Sequence, residues 1–187
     1  MIIAAKPTTY NGVNFRSRLE ASWAAFFDLC GWRWEYEPVD LKGWVPDFYL
    51  YSTDGKPTPV EVKPIEWPVS FNDITDVVKN DAALMKVRRS QLRTVILGAR
   101  PLPPIERGAP RVGIIYSPEY MHQHFAAVFA TTAGKINRNT LCDTHPECDI
   151  LSLNLCYEPT SYLYADRKLL YHFWKEARNL TQWCPSK

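Results

Sequence analysis

Three short segments carry residue types that could do chemistry: Ser17-Arg18-Leu19-Glu20-Ala21, Val45-Pro46-Asp47-Phe48 and Val60-Glu61-Val62-Lys63. In an extended strand alternate side chains share a face, so Glu61 and Lys63 point one way and Val60 and Val62 the other. The valines suit a core, which leaves the charged pair facing a cleft. Asp47 stands at the start of a preceding apolar segment, and a hairpin would bring it beside Glu61. Two close carboxylates repel each other and raise one pKa unless a cation lies between them. Hard oxygen donors with room for water suit Mg2+, with Mn2+ as a substitute. Phosphodiester hydrolysis needs such a site. It calls for positive charge on the phosphate, a more acidic water, and a lysine to orient that water or stabilise developing charge. A lone Pro-Asp is ordinarily a turn and a lone Glu-x-Lys a solvated strand face. Their succession on neighbouring elements is what points to chemistry.

The elements that must position these residues are legible in part. Phe15, Leu19, Trp23, Phe26 and Phe27 recur at helical spacing, which predicts a helix over residues 14–30 with Asn14 as its cap and Gly31 as its stop. Arg16 and Glu20 then share one face. Residues 33–37 alternate and read as a half-buried strand ended by Pro38, with Glu37 facing solvent. Strands over 45–51 and 58–63, joined through Asp54-Gly55-Lys56-Pro57, read as an antiparallel hairpin. A helix over 73–92 follows, and Thr94-Val95-Ile96-Leu97 suits a strand buried on both faces. The Pro-rich connection 101–110 separates a core of residues 1–100 from an extension of residues 111–187. In that extension a strand is expected over 111–116, a helix over 119–130, irregular chain over 131–160 and a closing helix over 165–183.

Pro46-Asp47, then thirteen residues, then Glu61-Val62-Lys63 resembles the signature of the PD-(D/E)XK nucleases. The element order α-β-β-β-α-β is that family's core. Glu20 falls where many members carry a helical Glu. Phe15-Arg16-Ser17-Arg18-Leu19-Glu20-Ala21, with Tyr36-Glu37-Pro38 and Pro46-Asp47-Phe48, is similar to phage and prophage members, and to junction-resolving and transposon-end endonucleases. The resemblance covers about the first 100 residues. It implies a restriction-endonuclease-like α/β fold, a mixed central sheet flanked by helices, here followed by a C-terminal helical extension. It implies metal-dependent hydrolysis of DNA in phage or prophage recombination or replication, leaving a 5′-phosphate and a 3′-hydroxyl. Asp47, Glu61 and the backbone carbonyl of Val62 would hold the metal, Lys63 would act on water or phosphate, and Glu20 would join through water or a second metal. An RNA-cleaving enzyme of the same fold and a non-catalytic nucleic-acid-binding module are the competing readings.

Bulk properties set limits. Hydrophobic residues are 46% and charged residues 22% of the chain, an ordinary globular balance. No apolar run is long enough to span a bilayer, and the first residues lack a signal-peptide pattern. The expectation is therefore no membrane partner and a cytoplasmic location, that of a bacterial host if the chain is phage-encoded. The net charge of +2 says little, but Arg16, Arg18, Lys79, Lys86, Arg88 and Arg89 form local basic patches that could grip the phosphates of DNA. Paired cuts on duplex DNA need two active sites, so a homodimer is a further expectation. Cys142, His145, Cys148 and Cys156 have ligand chemistry, yet their Cys-x2-His-x2-Cys spacing fits no common finger pattern. A structural zinc is not expected.

Overall fold

In a computed structural model, which describes residues 6–41, 43–52, 55–68, 71–103, 111–118, 123–132, 139–142, 162–164 and 167–182, the first helix starts later than the apolar spacing predicts. Helix α1 spans Arg18–Cys30 and is capped by Ser17, not Asn14. Ser17 is extended, and its hydroxyl accepts the Glu20 N–H, one of the amides that a helix start leaves open. Asn14 lies instead in a hairpin of β1 (Thr8–Tyr10) and β2 (Val13–Phe15). Phe15 therefore enters the core from a strand. Gly31 does end α1. It adopts a left-handed φ of 69°, and its N–H and that of Trp32 close back on Asp28 and Phe27.

Strands β3 (Arg33–Tyr36), β4 (Phe48–Tyr51) and β5 (Pro57–Val62) pair antiparallel in chain order. Strand β6 (Thr94–Leu97) returns parallel to β5, after the helical segment between them. Strand β7 (Arg111–Ser117) lies antiparallel to β6, and β8 (Gln123–Thr132) antiparallel to β7. Strands β9 (Asn139–Cys142) and β10 (Tyr162–Tyr164) both pair with β8. The order across the sheet is β10-β8-β7-β6-β5-β4-β3, with β9 off this path. The protein is thus mixed α/β, with a mixed sheet flanked by helices.

Two apolar layers hold the sheet. Val60, Val62, Val95, Leu97 and Ile115 pack with Trp23, Phe26 and Phe27 of α1 and with Leu170 and Trp174 of the closing helix α4 (Arg167–Leu180). Ile96, Ile114 and Tyr116 pack in the other layer, with Val78, Leu84 and Val87. Strand β6 is fully buried and sends alternate residues to the two layers, as its continuous apolar run predicts.

Two helices differ from expectation. The single helix over 73–92 is broken into α2 (Phe71–Asn80), a 3-10 turn (Ala82–Leu84) and α3 (Met85–Ser90). Asp81 makes the break, because its carboxylate accepts the Ala83 N–H at 2.7 Å. Short polar side chains favour such local bonds over helix continuation. The expected helix over 119–130 is overturned where it is described, since Gln123–Thr132 forms β8. Its alanines favour a helix in isolation, but pairing along both edges, with β9 on one and with β7 and β10 along the other, decides the backbone. Strand β9 likewise falls in a stretch expected to be irregular. Among the described residues no helix is long and apolar enough to cross a membrane.

Candidate active site

The register of the β4–β5 hairpin pairs Phe48 with Val60, and one step further along it sets Asp47 opposite Glu61. Val60 and Val62 enter the core beside α1, which turns Glu61 to the opposite face of the sheet. That face is not an open cleft at this point, for Glu61 is 0% exposed and Asp47 is also buried. Each carboxylate is held by hydrogen bonds. The Val62 N–H donates to Asp47 Oδ2 at 2.7 Å, and the Trp44 indole N–H donates to Glu61 Oε2 at 2.7 Å.

Three basic side chains neutralise the pair. Arg16 Nη2 lies 2.7 Å from Asp47 Oδ1 and 2.6 Å from Glu37 Oε1. Lys63 Nζ contacts Glu61 Oε1, donates to the Val62 carbonyl at 3.1 Å and lies 3.9 Å from Asp47 Oδ2. Lys86 reaches in from α3, its Nζ 3.2 Å from Glu61 Oε1. Burial nevertheless pushes the Asp47 carboxyl up to about 6, helped by the charges of Glu61 and Glu20 and opposed by Lys63 and the Val62 N–H.

Glu20 stands to one side. Its carboxylate accepts the Ser17 hydroxyl at 2.8 Å and the Tyr36 hydroxyl at 2.6 Å, and its charge is felt at Asp47. The Tyr36 phenol also accepts the Arg16 N–H, and burial, with the bond to Glu20, pushes it up to about 12. Ser17 thus caps α1 by accepting the Glu20 N–H while its hydroxyl donates to the Glu20 carboxylate, a pairing that Ser-x-x-Glu spacing announces. Glu37, read as solvent-facing, belongs to this cluster. Besides holding Arg16, it donates its N–H to the Asp47 carbonyl at 3.0 Å and adopts a left-handed φ of 45°. That conformation is uncommon for a residue with a side chain. Nothing in the local sequence marks Trp44 or Tyr36 as partners of these acids, because both contacts are made across the fold.

The expected phosphate-binding residues divide. Arg18, Lys79 and Arg89 are exposed. Arg16 and Lys86 are tied to the acidic pair. Arg88 is engaged within the protein, its Nη1 donating to the carbonyls of Val78 and Asp81 at 2.7 and 3.2 Å, where it caps the end of α2. Cys142 lies in β9, while His145, Cys148 and Cys156 fall outside the described residues. Cys30 is a buried thiol whose pKa burial pushes upward, which suits packing and not nucleophilic chemistry.

The donor set fits a divalent cation at one point. Asp47 Oδ2, Glu61 Oε1 and the Val62 carbonyl all face the single ammonium of Lys63. Glu61 Oε1 is fully buried and has ionic neighbours but no well-aligned hydrogen bond. These are hard oxygens of the kind Mg2+ prefers. The side chains alone do not complete a cage, since no group of three or more His, Cys, Asp or Glu residues converges among the described residues. No protein-family model, no curated protein and no solved structure matches this chain.

Proposed function

We propose that this chain is a divalent-metal-dependent endonuclease of the PD-(D/E)XK class that hydrolyses DNA phosphodiester bonds, with α1, β3 to β5, α2 and β6 as a restriction-endonuclease-like core. The observation that carries this reading is the convergence of Asp47 Oδ2, Glu61 Oε1 and the Val62 carbonyl on one cationic point. Asp47 and Glu61 would supply the charge that holds the cation, and the Val62 carbonyl would add a neutral ligand. When bound, a divalent cation supplies positive charge to the phosphate and makes a nearby water more acidic. Lys63, once off these oxygens, donates to the attacking water or to a phosphate oxygen. Glu20, fixed by Ser17 and Tyr36, is suited to accept from a water. Arg18, Lys79 and Arg89 offer phosphate contacts at the surface. A module that only binds has no need of two buried carboxylates whose charge three basic side chains must offset, which weighs against the non-catalytic reading. Phage or prophage DNA processing in a bacterial cytoplasm, and a homodimer for paired cuts, remain part of the proposal on the resemblance alone.

The test is cleavage of single-stranded, duplex and branched DNA, and of single-stranded RNA, in EDTA and with Mg2+ or Mn2+ restored. DNA should be cut only with the cation present, and a folded Asp47→Ala variant should cut none. Full cleavage in EDTA would sink the mechanism. Cutting confined to RNA would transfer the reading to a ribonuclease. Tight DNA binding with no cleavage under any metal would favour the binding module.

A further inference from the structure

Glu61 Oε1 carries two ammonium groups, and they differ in how firmly they are held. Lys63 is 20% exposed and sits on the same strand face as Glu61, in range also of Asp47 and the Val62 carbonyl. Lys86 is 41% exposed and comes from the separate short helix α3 on a long, rotatable stem. A fully buried carboxylate needs countercharge, and Lys86 adds to that charge in the cation-free protein. A divalent cation at the same oxygen would crowd like charges within a few ångströms of Lys86. The ammonium nearer water loses least by leaving, because it is rehydrated at once and its stem can pivot away.

Resting on the metal-dependent reading, in which Lys63 also turns off these oxygens, we propose that Lys86 is a second, displaceable counter-ion of Glu61: it occupies Oε1 in the cation-free protein and competes with the divalent cation for that oxygen. Lys86 is then a positioning residue of the site as well as part of the basic surface of α3. It offsets the charge of Glu61 and orients its carboxylate until the cation arrives, and it lowers the affinity with which the free protein loads.

The experiment is Mn2+ binding to the full chain without nucleic acid, followed by the electron paramagnetic signal of the free ion at fixed ionic strength. Lys86→Gln should bind Mn2+ about three- to tenfold more tightly than the unmodified protein, the range for losing an ion pair with one buried and one half-exposed partner. Lys86→Arg should bind as the unmodified protein does. A purely structural lysine would not give tighter binding on removal. Lys86→Met keeps the apolar stem and gives the same comparison should the Gln variant fail to fold, which melting in EDTA reveals. Unchanged or weaker binding in the folded neutral variants overturns the proposal while leaving the metal-dependent reading intact. Mn2+ binding to none of the proteins overturns both.

Discussion

Asp47 sits in an environment at odds with its charge. Its carboxyl is pushed up to about 6 from 3.8, first by burial and then by Glu61. A carboxyl raised in the folded state binds its proton more tightly there than in the unfolded chain. Its contribution to stability is full below about pH 4 and is lost as pH rises through about 6. In EDTA, Asp47→Asn should therefore be more stable than the unmodified protein above pH 6, by on the order of 2 to 3 kcal/mol, with the gap closing toward pH 4. The asparagine oxygen can still accept the Val62 N–H, so packing is preserved. Melting curves of both proteins from pH 4 to 8 check this, and a gap independent of pH would remove Asp47 as its source. Lys63→Ala separates chemistry from metal binding. An ammonium ligates no metal, so cleavage should fall steeply while Mn2+ affinity holds or rises. A variant that loses both together would assign Lys63 a structural role.

At the scale of elements, the site depends on how α1 and α3 are fixed. Helix α1 is anchored by Trp23, fully buried, with its ring centroid 4.4 Å from that of Trp174 on α4 and its indole N–H donating to the Gly98 carbonyl. Trp23→Ala should destabilise by about 3–5 kcal/mol, the usual cost of emptying a large aromatic site. Denaturant unfolding measures it, and a loss below 1 kcal/mol would show that α4 is not a structural partner of α1. Arg88 and Arg89 are adjacent in sequence yet opposite in role. Arg88→Ala should lower stability by about 1–3 kcal/mol through the lost bonds to the Val78 and Asp81 carbonyls and leave the salt dependence of any DNA binding unchanged. Arg89→Ala should keep the stability and reduce the salt slope by about 1 if it contacts phosphate. Reversed outcomes would show that the α2 cap is not what Arg88 is for.

For the molecule as a whole, metal and stability should be linked. A ligand that binds only the folded chain stabilises it by about 2.7 kcal/mol at a hundred times its dissociation constant. Mn2+ should raise the melting temperature of the unmodified protein and leave that of Asp47→Ala unmoved. An equal rise in both would place the ion elsewhere. The sheet also extends past the motif-bearing half, because β7 pairs with β6 in continuous register. A truncation after residue 100 would expose the edge of a fully buried strand.

The sequence by itself determined the local terms. Alternation in Val60-Glu61-Val62-Lys63 set which side chains share a face, Gly31 set where α1 stops, and the apolar run 94–97 set a strand buried on both sides. Each of these depends on neighbours within a few residues. The α-β-β-β-α-β order was legible for the same reason. Only the tertiary structure decided the rest. It drew Phe15 into the core from a hairpin, made β8 a strand against the preference of its alanines, and brought Trp44 and Lys86 onto Glu61 and Arg16 onto Asp47. Those contacts join residues 17 to 31 positions apart. Pairing of that range is set by burial and charge neutralisation in the packed protein, where the cost of an isolated buried carboxylate selects which distant base lies beside it.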